Sequence, residues 1–486
     1  MNQSRDSDVE KNAKDRANNE QFLVQFEDGH HDNPKHFRPS YKIWLTGQMS
    51  MLAFVGSLGS SIMSPAQPEL ATYLGVNKEV TVLSLSLFVL GYAFGPLLWA
   101  PISEVYGRRW SMLPPVFALG VFSIGTAVSK NSASIFITRF LGGLFGSAPI
   151  SNVSAALGDI YDPRDRGIPM AFYALCVIGG PTIAPLIGAG LVVNPHLGWR
   201  WTEYLEAIIV LAAWTVSVFC LPETYGPYLL RRKAQKIRNE TGDNRYWHPS
   251  EGAKIDPKNI VTKQLRRPFL MFFTEPMVTT ISLYASFVYG LLFLTLEVFP
   301  IVFQEHRHFS RVISELPFLG LLVGVICALL INIANQPLYK RAVEKNQGRA
   351  VPEARLPPMI IGGFLFSGGL FWFGWTAAPR YPWASPVVAA GFIGAGYNIV
   401  FQQCLNFLVD AYGPYAASAV SANNLLRCLM ACGLPLAARP MFINLGVGPA
   451  ASVLGGISCL ALPAPFIFLK YSETLRRKSK FAQLDN

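Results

Sequence analysis

Five ionisable residues lie inside long stretches of the chain that otherwise hold almost no charge: Arg139, Glu203, Glu206, Glu297 and Arg427. An ionised side chain in an apolar surrounding is costly, and it usually carries function or pairs with another charge. A carboxylate in such a place can take up and release a proton, and a neighbouring guanidinium can compete with that proton. These residues therefore indicate proton-carrying chemistry within an apolar layer.

Glu297 is the residue that we expect to carry the proton, and we expect Arg139 to compete with the proton for it. Each lies near the outer third of its apolar stretch, so the two side chains would sit at similar depth. Two alternatives stay open: Glu297 as a fixed structural acid, and Arg139 as a hydrogen-bond donor in helix packing. Arg427 follows Asn423 and Asn424, and we expect a structural polar network there.

Uncharged polar residues recur every four positions in the stretch that contains Asn398, Gln402 and Asn406. On a helix this spacing places the three side chains on one face. We expect this face, together with the ring of Tyr289, to line a cavity and contact a substrate. Hydrogen bonds between helices are the alternative for the amides, and Tyr289 could instead face lipid.

Twelve apolar stretches must position these residues. Each is about 20 residues or longer, which is the length that a helix needs to cross the hydrocarbon layer of a membrane. The stretches cover about 43–63, 81–103, 110–129, 133–158, 168–192, 202–222, 277–303, 314–336, 357–379, 383–409, 412–438 and 449–470. The sequence therefore predicts an all-α membrane protein, because soluble helices would carry a polar face.

The basic residues give the predicted orientation. The chain is 51% hydrophobic and 15% charged, with a net charge of +11. If the N-terminus is cytoplasmic, the cytoplasmic loops and C-terminal tail hold 25 Lys and Arg, and the outer loops hold seven. This bias predicts a multi-pass protein with both termini in the cytoplasm. We expect its basic stretches to meet anionic lipid of the bilayer rather than nucleic acid.

A long polar segment divides the stretches into six and six. We expect a disordered cytoplasmic tail over 1–40, a six-helix bundle over 41–222, a cytoplasmic linker over 223–276, a second six-helix bundle over 277–471 and a short cytoplasmic tail over 472–486. Two six-helix halves joined by a charged linker are a known plan for transporters, with the substrate bound between the halves.

Other chemistries lack their motifs. The sequence contains no phosphate-binding G-x-x-x-x-G-K-[ST] loop, no H-E-x-x-H and no Cys/His cluster, so we expect no ATP-driven step, metal or cofactor. Asp159 and Asp162 share one short loop, whereas an intramembrane protease needs two acids that meet within the bilayer. A receptor or an intramembrane enzyme is therefore a disfavoured alternative, and we expect a monomer.

Two segments combine glycine with residues that fix or bend helices. Residues 99–109 read W-A-P-I-S-E-V-Y-G-R-R, and we expect Glu104, Gly107, Arg108 and Arg109 to lock one conformation at the cytoplasmic face. The fifth stretch contains Gly180, Pro181 and Pro185, which suit a bent, closely packed helix that takes part in a rocking motion. Ordinary helix packing is the alternative for any one of these residues.

These segments resemble signatures of the major facilitator superfamily, and in particular of its fungal drug:proton antiporters with twelve spans. Residues 99–109 are similar to the motif G-x-x-x-D-R-x-G-R-R, with Ala100 for the first Gly, Glu104 for the Asp and Val105 for the basic residue. Residues 180–188, G-P-T-I-A-P-L-I-G, resemble the antiporter motif G-P-x-x-G-P-x-x-G. Further matches are R-F-L-G-G at 139–143, W-R-W-T-E-Y at 199–204, L-P-E-T at 221–224, P-E-A-R-L-P at 352–357, N-F-L-V-D-A-Y at 406–412 and Y-A-A-S-A at 415–419.

The resemblance implies two six-helix bundles around a central cavity lined by spans one, four, seven and ten. It also implies export of a small organic compound, such as a drug or a secondary metabolite, across the plasma membrane in exchange for protons. A polyamine exporter and a proton-coupled uptake symporter of the same fold are the alternatives within transport.

Overall fold

Helices make up nearly all of the chain that the structure, a computed structural model, describes: residues 22–26, 33–162, 165–252, 266–347, 351–479 and 481. Eleven helices in this part are long and apolar enough to cross a membrane. The first predicted span falls on a further helix of 20 residues, whose serines, glycine and threonine make it less apolar. The predicted all-α fold is therefore confirmed.

We number the membrane helices in chain order. They are α1 (Pro39–Leu58), α2 (Leu83–Tyr106), α3 (Arg108–Val128), α4 (Ser132–Ile160), α5 (Gly167–Val193), α6 (Arg200–Cys220), α7 (Pro276–Phe299), α8 (Pro317–Lys345), α9 (Leu356–Thr376), α10 (Ala384–Tyr412), α11 (Ala416–Leu445) and α12 (Val447–Ala461). Shorter helices include Gln67–Leu74 after α1, Gly226–Thr241 after α6, Arg267–Thr274 before α7 and Pro463–Lys478 after α12.

Local sequence sets several helix ends. Proline occupies the first turn of α1 and α7, where its missing N–H group leaves no hydrogen bond unmade. The side chain of Asn131 caps α4 by accepting a hydrogen bond from the backbone of Ser134 at 2.8 Å. Pro463 starts a second helix directly after α12, and this helix extends to Lys478, so the predicted stretch 449–470 is divided between two helices.

The helices form two halves with the same internal arrangement. In the first half α1 packs on α4, α5 and α6, α4 packs on α2 and α3, and α3 packs on α6. The second half has the equivalent pairs: α7 packs on α10, α11 and α12, α10 packs on α8 and α9, and α9 packs on α12. The halves meet mainly where α2 packs on α11 and where α5 packs on α8. The sequence predicted two halves, and the repeated pairing shows that they are structurally related.

Residues 22–26, the described part of the linker and the end of the last helix share one face, which we call the terminal face. Residues 22–26 lie beside the linker there, because Val24 N donates to Trp247 O and Trp247 N donates to Phe22 O, both at 3.1 Å. The guanidinium of Arg245 stacks on the Phe22 ring at 4.2 Å. The expected disorder of the tail is therefore wrong for residues 22–26 and also for 33–40, which contain a short helix at Pro34–His36 and the start of α1. Residues 1–21 and 27–32 lie outside the described part.

Candidate functional site

Arg139 on α4 lies at the centre of a buried charge cluster in the first half, with 1% of its surface exposed. Its guanidinium donates to Gly59 O at 2.6 Å, to Ser84 O at 2.9 Å and to Glu203 Oε1 at 3.0 Å. Glu206 Oε2 lies 3.6 Å from the same guanidinium. The side chains of both glutamates are fully buried. One cation thus faces two carboxylates, which we call the Arg139 cluster.

Glu297 lies elsewhere, where the two halves touch on the face opposite to the terminal face. Its Oε1 atom accepts a hydrogen bond from Gln67 Nε2 at 2.6 Å, and Ser64 Oγ donates to Leu296 O at 3.2 Å. Arg311 and Glu69 form an ion pair beside them. We call these three contacts the opposite-face joint, and they link the two halves at this face.

The expected partnership between Arg139 and Glu297 is therefore not formed. The guanidinium of Arg139 is occupied by the glutamates of α6 and by backbone carbonyls of its own half. Glu297 has an amide from the first half as its partner instead. Similar depth in the bilayer did not imply contact, because the rotation of each helix decides which side chains meet.

A second ionic network fixes the terminal face of the first half. Arg108 Nε donates to Asp159 Oδ2 at 2.9 Å, and Arg108 Nη1 donates to Ser103 Oγ at 2.7 Å. The backbone N–H groups of Arg108 and Arg109 donate to the Glu223 carboxylate at 2.8 and 3.1 Å. Glu223 thus caps the N-terminus of α3, where the helix dipole favours an anion.

Glu104, the acid that we expected in this lock, is exposed. Glu223 and Asp159 supply the carboxylates instead, from the end of α6 and the end of α4. Gly107 is essential to this geometry because its φ of +89° is open to glycine, and a Cβ there would collide with the Glu223 carboxylate. Gly107, Arg108 and Arg109 thus lie in the ionic network, as expected. Glu104 does not supply its carboxylate.

The second half repeats this network. Asp410 Oδ2, near the end of α10, accepts hydrogen bonds from Arg355 Nε and from Tyr339 OH, each at 2.8 Å. Arg476 Nη2 from the last helix donates to Glu353 Oε1 at 2.7 Å at the start of α9. Each half thus has an ion pair between the start of its third helix and the end of its fourth. A residue that follows the sixth helix is an anion, Glu223, in the first half, and the last helix supplies a cation, Arg476, in the second.

Replacement of Asp410 tests the second network. We expect Asp410→Asn to lower the free energy of unfolding by about 2 kcal/mol, because hydrogen bonds to a charged, mostly buried partner are among the stronger ones. The measurement is thermal unfolding of the purified protein. Glu240→Gln is the matched control: it removes a carboxylate from the exposed linker pair with Lys236, and we expect no measurable change. Equal behaviour of the two variants would contradict the role of Asp410.

The glycine and prolines of α5 bring this helix close to α1. A Cβ at Gly180 would collide with Ser57 Oγ, so glycine is required by the close approach. Ser61 Oγ donates to Pro181 O at 3.0 Å, and Pro185 is buried in the same helix. Helix α5 also contacts α8 of the other half, which fits the expectation that it takes part in relative motion of the halves.

The polar stripe of α10 divides between two environments. Asn398 is buried, and its Oδ1 accepts a long hydrogen bond of 3.4 Å from Asn332 on α8. Gln403 donates to the same Asn332 at 2.9 Å. For Asn398 the structure thus supplies the interhelical hydrogen bond that we gave as the alternative. Gln402 and Asn406 are half-buried, and a role for them in substrate contact stays a prediction.

Arg427 and a group of aromatic rings lie where α7, α10 and α11 converge. The guanidinium carbon of Arg427 lies 4.5 Å from the centre of the Tyr289 ring and 4.9 Å from that of Phe401. Phe401 stacks on Tyr397 and on Tyr289, with ring centres 5.9 Å apart in both pairs. We call Arg427 and these three rings the aromatic cluster. Tyr289 therefore packs within the protein and does not face lipid.

Arg427 forms the expected polar network, but its partner is Asn424 and not Asn423. Arg427 Nη2 donates to Asn424 Oδ1 at 2.5 Å, and Asn424 Nδ2 reaches Tyr92 O of α2 at 3.5 Å. Asn423 is fully buried, and neither of its side-chain polar atoms has a hydrogen-bond partner in the described part of the chain. Arg427 thus lies close to the interface between the halves.

Several residues that hold these sites together had no role in the sequence analysis. Glu203 and Glu206 stood out as charges in an apolar stretch, and their spacing of three places both on one face of a helix. Glu223 lies in the quoted L-P-E-T motif. No sequence signal marked Gln67, because its importance depends on the contact between the halves.

Two related six-helix halves, joined at one face and carrying buried charges, define a helical membrane transporter. A family model described as Major Facilitator Superfamily matches residues 49–435. The chain therefore belongs to the Major Facilitator Superfamily, and it is a transporter and not an enzyme.

Curated relatives and solved structures agree with this family. The chain is 42% identical to the MFS-type transporter traF of Penicillium crustosum over 93% of this chain and 91% of that protein. It is 38% identical to the efflux pump bik6 of Gibberella fujikuroi, covering 95% of both chains. It is also 38% identical to the multidrug transporter FLU1 of Candida albicans, covering 93% of this chain and 74% of that protein.

The solved structure of the xylose transporter XylE from E. coli shares the fold, with a TM-score of 0.62 at 17% identity. The match covers 89% of this chain and 98% of that chain.

Proposed function

We propose that this protein exports small organic compounds, such as drugs or secondary metabolites, across the plasma membrane in exchange for protons. The observation that carries the proton coupling is the Arg139 cluster. Two buried carboxylates facing one guanidinium leave one negative charge in excess, and an uncompensated buried charge costs several kcal/mol. Uptake of one proton removes the excess negative charge. The cluster can therefore bind and release a proton when its access to water changes.

The direction of transport is argued from the relatives. FLU1 is named a multidrug transporter and bik6 an efflux pump, and both are similar to this chain over nearly its whole length. We extend the activity in those names to this chain. The excess of basic residues in the loops of the terminal face favours a cytoplasmic location for that face. The opposite-face joint would then lie on the outer side, and the substrate would enter from the cytoplasm.

Vesicles test this proposal directly. Purified protein is reconstituted into proteoliposomes, an acidic interior is imposed, and accumulation of a panel of compounds is measured, including an aromatic acid, a hydrophobic dye and spermidine. Acid-driven accumulation of the acid or the dye supports the proposal. Movement of spermidine alone would favour the polyamine alternative, and accumulation only with the opposite gradient would favour an uptake symporter. Movement of no compound would overturn the proposal.

Two substitutions separate the candidate proton carriers. We expect Glu206→Gln to abolish acid-driven accumulation while exchange of substrate across the vesicle membrane continues, because the amide imitates the protonated acid and leaves the Arg139–Glu203 pair balanced. Under the first hypothesis, Glu297→Gln would produce this result instead. Glu79→Gln, at an exposed residue of the opposite face, is the control. If both buried variants keep acid-driven transport, neither carboxylate carries the coupling proton.

A further inference from the structure

Arg427 is a cation without an anion. Its titratable neighbours in the described chain are the side chains of Tyr289, Tyr397, Tyr173 and Cys428, and no carboxylate is among them. Its Nε atom is buried without a hydrogen-bond partner there, and Asn424 takes only one of the other N–H groups. A guanidinium has five such donors in a planar fork that matches a carboxylate.

The surroundings of Arg427 do not compensate for this charge by themselves. Its contacts with the Tyr289 and Phe401 rings are cation–π contacts, which are weaker than a two-pronged ion pair with a carboxylate. A cation that has lost part of its water without gaining a counter-charge is destabilised. The contrast with Arg139 is direct, because Arg139 is buried with two carboxylates and two backbone carbonyls as partners.

The position of Arg427 allows a mobile ligand to supply the missing anion. The side chain is only partly buried, and its neighbour Asn424 reaches across to α2 of the other half. Tyr289 and Phe401 are partly buried as well. The contact with Tyr92 places these groups at the boundary between the halves. A substrate held between the halves would therefore meet them.

We propose that the aromatic cluster binds planar aromatic anions, with the acidic group of the ligand on the Arg427 guanidinium and its ring against Tyr289 and Phe401, behind which the buried Tyr397 ring stacks. Phe401 and Tyr397 are nearly parallel, with 14° between their planes, so this wall offers flat faces for stacking. The proposal rests on the exporter function above and names the substrate class of that transporter: aromatic carboxylic acids and acidic phenols, rather than polyamines.

Binding to the purified full-length protein in lipid nanodiscs tests the proposal without transport. The probes are 2-naphthoate, the neutral 2-naphthamide and the cationic 2-(aminomethyl)naphthalene, which share one ring system. We expect native protein to bind the acid at least about tenfold more tightly than the amide, and the cation most weakly. In Arg427→Gln we expect the acid and the amide to bind equally. Arg427→Lys keeps the charge without the fork and should give an intermediate preference.

Arg380→Gln, at an exposed residue of a loop on the opposite face, is the control and should keep the native preference. Thermal unfolding of each variant shows that it is folded, and the preference of the native protein stands as a test even if Arg427→Gln does not fold. Equal binding of the three probes to native protein, no binding of any probe, or an unchanged acid preference in Arg427→Gln would overturn the proposal. If the acid preference holds but vesicles move no compound under an acid gradient, the exporter function fails and the binding site stands.

Discussion

Arg139→Met is expected to lower the free energy of unfolding by about 3–5 kcal/mol and to abolish acid-driven transport. The substitution keeps a side chain of similar length but leaves Glu203 and Glu206 facing each other without a cation in a fully buried place. Removal of one partner from a buried ionic cluster has a cost of this order, because the remaining charge is uncompensated. The measurements are thermal unfolding and accumulation by proteoliposomes with an acidic interior.

A double variant separates charge balance from packing. Arg139→Met combined with Glu203→Gln removes one positive and one negative charge, so we expect much of the lost stability to return. Acid-driven transport should stay absent, because the site no longer has a guanidinium that competes with the proton. Recovery of transport in the double variant would show that Arg139 only stabilises the fold. No recovery of stability would show that Arg139 acts through packing on Phe88, whose ring lies 4.3 Å from the guanidinium.

Gly107→Ala is expected to produce the second large loss, a destabilisation of at least about 2 kcal/mol together with strongly reduced transport. The backbone of Gly107 has φ +89° and ψ 168°, a region that is nearly exclusive to glycine and costs about 1–3 kcal/mol for other residues. An added Cβ would also displace the Glu223 carboxylate from the N-terminus of α3. Thermal unfolding and vesicle transport measure the two effects.

Gly75→Ala is the matched control for this prediction. Gly75 has a positive φ of +64°, but its backbone lies in the left-handed helical region, and no atom lies within 4 Å of the position that its Cβ would take. We expect a loss of only about 1 kcal/mol and normal transport. If the two alanine variants behave alike, the contact between Gly107 and Glu223 adds nothing beyond backbone strain.

The sequence predicted the membrane helices well, because the length and apolarity of a span are local properties that the bilayer imposes. It also predicted that Arg139, Arg108 and Gly107 occupy special positions. The partners of these residues were harder to predict. Arg108 begins α3, whereas its partners Glu223 and Asp159 lie after α6 and at the end of α4. Gln67 belongs to the first half, whereas its partner Glu297 belongs to the second. Such contacts depend on helix rotation and on how the halves meet, and neither is encoded in one stretch of sequence.

The two terminal-face networks have a consequence for how the molecule changes shape. Arg108 and Asp159 belong to one half, and Arg355 and Asp410 belong to the other, so neither ion pair spans the boundary between the halves. We therefore expect each half to tilt as a stiff unit with its own ion pair intact. The contacts that cross the boundary oppose this tilting: the packing of α2 on α11 and of α5 on α8, and bonds such as the one between Gln67 and Glu297. Removal of either ion pair should thus lower the melting temperature, and removal of a bond between the halves should alter the turnover rate.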